Sequence, residues 1–449
     1  VARSAAAAPT VIGQERHVVD AGHMAWGVLL IAFAVFCMVC VITGLGVNYF
    51  LFQSTVPMQT VIRVGRGTVT WTDATLIPQA TRTQIELFNR AVVSTDPISQ
   101  ATLFVYDAQT MIAAITLRND TAADIEQVTR PRFDWSSQRY TITLENVTGE
   151  FDIHVPAALP RELVMTFVTP VGALARMIKS GDYTVRITDT QLQVITDSGE
   201  ALVSMRDNPN YAVPPGQRGT LQLTDGMYAI QPARINLLGN RTFEPGNIVE
   251  VTTSTPREQT WGCTNVQNGE PSGFFALTQI DGFSALRLGR GGGAETHGET
   301  TCTQYLTGAS GQQGRDVSTY SYLGLRADFK IVGHSLSTCG EQGSECPLML
   351  RMEYIPATGG VQTWIHGFYT RVLPGIDSPV RCDSCTLDHE IVNEGAWYAY
   401  DSGNLLALFP PDQRPRSILN FRFYSSGHEY DVYVREVSLL VGLSNPAPG

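Results

Sequence analysis

The pattern of apolar and polar positions divides the chain sharply. No Asp, Glu, Lys or Arg occurs between Asp20 and Arg63, and the run from Met24 to Val47 is almost wholly apolar. A helix needs roughly 20 such residues to cross a hydrocarbon core, so the run predicts a transmembrane helix over residues 24–52. A helix satisfies its own backbone hydrogen bonds, which lipid cannot do for it. Trp26 at one end, and Tyr49, Phe50 and Phe52 at the other, stand where interfacial aromatics are expected. A cleaved signal peptide would have a shorter apolar run ending in a small-x-small site, and no convincing site follows this one. Arg3 and Arg16 precede the run and nothing basic follows it until Arg63. The positive-inside bias therefore predicts a single-pass protein of the cell membrane, with a short cytoplasmic tail at 1–23 and an exported C-terminal bulk.

Beyond the helix the period changes to two. Runs rich in Val, Ile, Thr and aromatics predict strands at 60–64, 67–71, 101–106, 112–117, 140–144, 150–155, 163–168, 182–188, 191–196, 200–205 and 220–223. Alternation buries one face of each strand, and turn residues such as Asp197-Ser198-Gly199 separate the runs. Near residue 235 the composition shifts toward Gly, Cys, Trp and Tyr. Further strands are expected at 284–288, 322–331, 348–354, 362–369, 396–399, 418–424 and 430–441. Their spacing, with Gly-rich loops such as Gly289–Gly293, predicts an antiparallel β-sandwich or jelly roll. The expected organisation is all-β behind one N-terminal transmembrane helix, with domains at 56–234 and 235–442 and a C-terminal tail at 443–449.

The first region resembles the FecR domain. The likeness is carried by Val64-Gly65-Arg66-Gly67-Thr68-Val69, by Ala91 to Asp96 and Ser99 to Leu103, and by Leu144-Glu145-Asn146-Val147-Thr148-Gly149-Glu150-Phe151. It continues through Phe167 to Pro170, Gly181-Asp182-Tyr183-Thr184-Val185, Val194 to Leu202 and Val213-Pro214-Pro215-Gly216-Gln217, and so covers most of 60–225. The resemblance implies a repetitive β-structure. In siderophore signalling, FecR proteins sense a transporter outside and regulate a sigma factor inside through a cytoplasmic N-terminal domain. Only a short tail precedes the helix here, so the expectation is a scaffold or protein-binding role rather than sigma regulation.

The second region resembles carbohydrate-binding-module-like, galactose-binding-like jelly rolls. Asn236-Leu237-Leu238-x-Asn240-x-x-Phe243-Glu244 is similar to their first strand and Tyr430 to Leu439 to their last, with Ala285 to Leu288 and Trp397 to Tyr400 as strands between. The resemblance implies sugar binding on exposed aromatic faces, for which Trp261, Trp364, Tyr369, Trp397, Tyr398 and Tyr400 are candidates. The alternative is that these rings belong to the sandwich core. It also implies a possible structural calcium held by Glu244 and Glu436, although Arg435 stands where a second last-strand acid is expected.

Charge and cysteines narrow the partners. A formal net charge of −11, with Lys179 and Lys330 the only lysines, excludes nucleic acid, which needs clustered cations. An envelope glycan or another membrane or extracytoplasmic protein remains. Cys37 and Cys40 lie inside the apolar run and read as small apolar residues in lipid. Cys263, Cys302, Cys339, Cys346, Cys382 and Cys385 lie in the exported part, where disulfides are expected. Pairing of nearest neighbours in sequence is the expectation. A zinc site of Cys339, Cys346, Cys382 and Cys385 is the alternative.

No enzyme signature emerges. Asp388-His389-Glu390, His297-x-Glu299 and His428-Glu429 offer acids and bases, but adjacent strand residues point to opposite faces. Gly289-Arg290-Gly291-Gly292-Gly293 lacks the Gly-Lys-Ser/Thr ending of a phosphate loop and reads as a turn. The sequence thus points to a non-catalytic, membrane-anchored binding or scaffold protein. The alternatives are an accessory subunit of a membrane assembly, with Gly27, Ala34, Gly44 and Gly46 as a packing face, and then an envelope sensor or a carbohydrate-active enzyme.

Overall fold

The computed structural model describes residues 21–73, 77–205, 210–251, 260–267, 269–308 and 314–443. Arg3, Arg16 and nearly all of the expected tails at 1–23 and 443–449 lie outside the described residues. The chain forms two compact units: the part up to Val56 with Pro131–Gln138, and Pro57–Arg130 with Arg139–Gly449.

The first unit is built on the helix Ala21–Asn48, which continues into a π-helical turn, Tyr49–Gln53. Met24–Gln53 is an apolar helix of 30 residues, long enough to span a membrane. None of its described side chains is buried. Ser54 turns the chain into extended backbone and its N–H caps the Tyr49 carbonyl at 2.9 Å.

The second unit is all-β. Its first half folds into two facing sheets that close, barrel-like, through one long strand, Tyr140–Val155. Residues 141–148 of this strand pair with Ala122–Pro131, and 140–144 also pair in parallel with Leu163–Val168. Residues 149–155 pair with Gly181–Ile187, and 151–154 with Thr110–Leu117. Two strands expected at 140–144 and 150–155 are therefore one strand that changes sheet. The bend is made by Asn146 (φ 50°) and Gly149 (φ 91°), and a side chain on Gly149 would run into Thr121 and the Asp120 carbonyl. Alternating residues such as Ile62, Leu103, Ile115, Phe151, Phe167 and Val194 fill the space between the two sheets.

The second half is a sandwich. One sheet runs Phe274–Ile280, Phe283–Arg290, Tyr430–Gly442, Tyr322–His334, Trp397–Asp401, with Ile235–Asn236 pairing Tyr430–Gly442. The facing sheet runs Ile248–Glu250, Trp261–Gln267, Gly298–Tyr305, Pro415–Gly427, Leu348–Pro356, Gln362–Tyr369, Glu390–Ile391. Trp261, Phe243, Phe329, Trp364, Phe421 and Phe423 lie in the core between them. Gly298–Tyr305 was not expected from its pattern, because Thr300, Thr301, Thr303 and Gln304 look like a loop yet are buried.

Candidate functional site

The same alternation that builds each core also builds a seam between the two halves. In Tyr140–Val155 the buried residues Phe151, Ile153 and Val155 put Glu150, Asp152 and His154 on the opposite face. In Tyr322–His334 the buried Leu325, Ala327, Phe329 and Ile331 do the same for Arg326, Asp328 and Lys330. These outward faces meet each other. Phe104, Met111 and Ala114 from the barrel-like half pack on Phe283, Ala285 and Trp397 from the sandwich. The Phe283 ring lies 6.0 Å from Phe104 and 5.2 Å from Trp397.

Charges surround this apolar contact; some pair within one half, while Arg118 with the Ala399 carbonyl, Arg326 with Glu150 and Arg63 with Asp281 pair across it. Arg118 donates to Asp152 at 2.6 Å and to the Ala399 carbonyl at 3.0 Å. Arg326 reaches Asp401 at 2.9 Å and Glu150 at 3.4 Å, and Arg435 reaches Asp328 at 2.6 Å. The hairpin turn Asp281-Gly282, both residues at positive φ, aims the Asp281 carboxylate at Arg63 (2.9 Å), Lys330 (2.7 Å) and the Trp397 indole N–H (3.1 Å). Gln100 uses its side-chain amide to hold the N–H and C=O of Ala399 at 2.7 and 2.9 Å, which occupies an otherwise open strand edge.

Burial and pairing compete at these carboxyls. Burial would raise Asp152 and Asp401, but Arg118 and Arg326 hold both below the ordinary carboxylate range. At Asp328 burial wins: with Glu436 and Asp152 adding to the rise, its pKa is pushed up to about 6 despite Arg435. Along the seam opens a groove of about 800 Å³ whose wall includes Arg63, Arg66, Arg82, Lys330, Asn393 and Glu394. Arg66 bonds Glu390 and the Tyr398 hydroxyl, while Arg82 donates to Thr68 at 3.0 Å. Ile98 and Ile391 expose apolar surface there. Arg63 and Lys330 are held there by Asp281, a further wall residue, which leaves Arg82 beside small apolar patches as what the trough presents to an extended, acceptor-rich chain.

The residues expected from sequence lie elsewhere or face inward. Trp261, Trp364, Tyr369, Trp397, Tyr398 and Tyr400 are all buried, the most exposed at 7 %, so none offers a free ring face to a sugar. Trp261 packs on Phe423 and donates to the Asn240 carbonyl at 3.1 Å, Tyr400 stacks on His366, and Trp397 belongs to the seam. Glu244 and Glu436 do line one cavity of about 210 Å³. Arg435 lines it too, and Arg241 pairs with Glu436 at 3.2 Å. A hard dication needs oxygens where these guanidinium groups stand, so the set fits calcium poorly.

The six exported cysteines form Cys263–Cys302, Cys339–Cys346 and Cys382–Cys385, with sulfur–sulfur distances of 2.01, 1.93 and 2.05 Å. Bonded this way, Cys339, Cys346, Cys382 and Cys385 lack the free thiolates a zinc site requires. Both of the latter disulfides adjoin His389, whose Nδ1 accepts from Gly367 N–H at 2.8 Å and whose Nε2 lies 2.7 Å from the Gly343 carbonyl. Its neighbours in sequence diverge, since Glu390 goes to Arg66 and Tyr398 while Asp388 faces Arg381. His297 pairs with Glu345, and His428 with the Ala294 carbonyl. His297-x-Glu299 and His428-Glu429 come to adjoining strands, with Gly298 opposite Gly427, whereas the side chains of Asp388-His389-Glu390 are engaged by Arg381, Gly343, Arg66 and Tyr398.

No protein-family profile matches the chain, and no curated protein matches it in sequence. Among solved structures, two of a Parabacteroides distasonis protein described as a candidate anti-sigma factor match at 15 % identity and a TM-score of 0.24, over 34 % of this chain and 68 % of theirs. A family 11 carbohydrate-binding module of Clostridium thermocellum, solved with a mixed-linked β-1,3-1,4 tetrasaccharide, matches at 13 % identity and a TM-score of 0.22. That match spans 41 % of this chain and 91 % of the module.

Proposed function

We propose that this chain is a single-pass membrane protein whose β unit lies on the exported side and works as a non-catalytic binding scaffold. In this reading residues 56–234 are a FecR-like domain and 235–442 a jelly roll, and the groove along their seam holds the partner. The observation that carries it is the seam itself: an apolar contact bridged by Arg326–Glu150 and Arg63–Asp281 holds the halves together. The groove beside them offers the exposed Arg82 along an open trough, with Asn393 and Thr370 held in its wall by the Val64 carbonyl and Glu394. With the six candidate aromatics buried, an extended protein segment or an acidic glycan fits better than a sugar stacked on a ring. The accessory-subunit reading rests on the small residues Gly27, Ala34, Gly44 and Gly46 along the helix.

The test uses the full chain in nanodiscs, titrated calorimetrically with neutral and acidic polysaccharides and with extended peptides. Arg82→Glu should weaken binding of the true ligand about ten-fold or more by placing an anion in the trough. Unchanged affinity removes the groove from the account, and cleavage of any glycan in the panel removes the non-catalytic reading.

A further inference from the structure

A segment distant in sequence belongs to the helix unit. Pro131–Gln138 joins the strands Ala122–Pro131 and Tyr140–Val155 in the chain, yet its contacts group it with the membrane helix. The reason lies in the carbonyls that a helix end leaves unpaired. Trp135 donates its indole N–H to Leu51 C=O at 3.2 Å, Ser136 its hydroxyl to Phe52 C=O at 2.5 Å, and Arg132 its backbone N–H to Ser54 C=O at 3.0 Å. Rings reinforce these bonds. Phe133 stacks on Trp135 at 4.6 Å and meets Phe50 edge-on at 5.5 Å, with the Arg132 guanidinium 5.4 Å from the Phe50 centroid.

The result is an aromatic surface continuous with the end of the apolar helix. Trp135 is 63 % exposed, and Tyr49, Phe50 and Phe52 are 60, 50 and 47 % exposed. Water disfavours such a surface. The boundary between lipid headgroups and acyl chains favours it, because it takes an apolar ring and a polar edge together. A guanidinium at the same place can reach phosphate.

We propose that Pro131–Gln138 is a second membrane contact, which seats Phe133, Trp135 and Arg132 in the phospholipid headgroup–acyl boundary beside the helix end. This rests on the reading of Met24–Gln53 as a spanning helix. The occupant is phospholipid because the surface continues that of the helix with no break in its exposed aromatics.

Lipid-depth quenching tests it, with the full chain in nanodiscs of phosphatidylcholine brominated either near the headgroup or near the chain end. Trp135 emission is the difference between wild type and Trp135→Phe, and Trp26 emission the difference between wild type and Trp26→Phe. Shallow bromines should reduce the Trp135 signal about two-fold or more, and deep bromines less. Should Trp135→Phe not fold, Phe133→Ser serves in its place and should cut the shallow quenching of the whole protein. Quenching of Trp26 without Trp135 overturns the second contact and leaves the spanning helix standing. Quenching of neither overturns both. Quenching of Trp135 more by deep than by shallow bromines overturns its placement at the headgroup–acyl boundary.

Discussion

His334 and Asp328 sit on one strand and respond to burial with opposite signs. Burial, helped by Arg371, pushes the His334 imidazole down to about 4. Its Nδ1 has no partner, while its Nε2 accepts from the Thr370 N–H at 3.4 Å. The unfolded histidine takes up a proton near pH 6.5 and the folded one does not, so this stabilisation is lost as pH falls from about 6.5 to 4. Asp328 does the reverse. Its folded pKa of about 6 exceeds the ordinary carboxylate value, so folding binds a proton that the unfolded chain has released. Stability from this group therefore falls as pH rises through about 4 to 6, and burial of Glu299 adds to the same slope. The His334 and Asp328 contributions, each on the order of 2 to 3 kcal/mol, oppose one another over that window, and the buried His389, also held below its ordinary value, adds to the His334 slope. His334→Gln keeps an acceptor for Thr370 but does not titrate. Between pH 6.5 and pH 4.5 the variant should lose roughly 1 to 2 kcal/mol less stability than the wild type. Denaturant midpoints of both proteins at the two pH values decide it, and a pH dependence in the variant equal to that of the wild type refutes the assignment.

At the scale of elements, sequence patterning shows that a strand has a second face but not what covers it. Glu150, Asp152, Arg326 and Asp328 read as solvated because each alternates with core residues. Only contact between two sheets distant in sequence turns them into an interface. The Thr-rich strand Gly298–Tyr305 was hidden for a related reason, since its polar side chains are buried by neighbours that no local window contains. Legible features were local: the apolar helix, the alternating strands, and the Asp197-Ser198-Gly199 turn signal. The sequence left the candidate rings between ligand face and core because apolar aromatic strands look alike in either place, and Trp364 and Trp397 are buried. The buried ions make the seam testable. Arg118→Ala leaves Asp152 desolvated with Arg326 as its remaining cation at 3.9 Å, and should cost about 3 to 5 kcal/mol. Removing both, as Arg118→Ala with Asp152→Ala, should cost less than the single change, because no buried charge is left unpaired. Urea unfolding of the full chain in detergent micelles measures both. A single variant within about 1 kcal/mol of wild type would show that the pair is effectively solvated.

At the scale of the whole molecule, the question is whether the two β halves act as one body. Their chain segments fall in a single compact unit, and the seam combines an apolar contact with ion pairs that bury charge on both sides. Separating the halves would expose Phe104, Phe283 and Trp397 and strand several charges at once. Opening the seam and melting either half should therefore be coupled, giving one unfolding transition for the β unit. Gly65 provides the wedge. Its carbonyl accepts the Asn393 N–H at 2.8 Å, and a side chain placed on it would overlap the Trp397 carbonyl, so backbone from one half lies directly on backbone from the other. Gly65→Val cannot be absorbed by a rotamer change, because the atom it meets is main chain. Calorimetry of the full chain should give one β transition in the wild type, with a van't Hoff enthalpy close to the calorimetric one. The variant should show two, the earlier shifted down by about 5 °C or more, with its disulfides intact. Two resolved transitions already present in the wild type would mean that the halves fold independently, and the seam would then be a contact that positions the groove without stabilising either side of it.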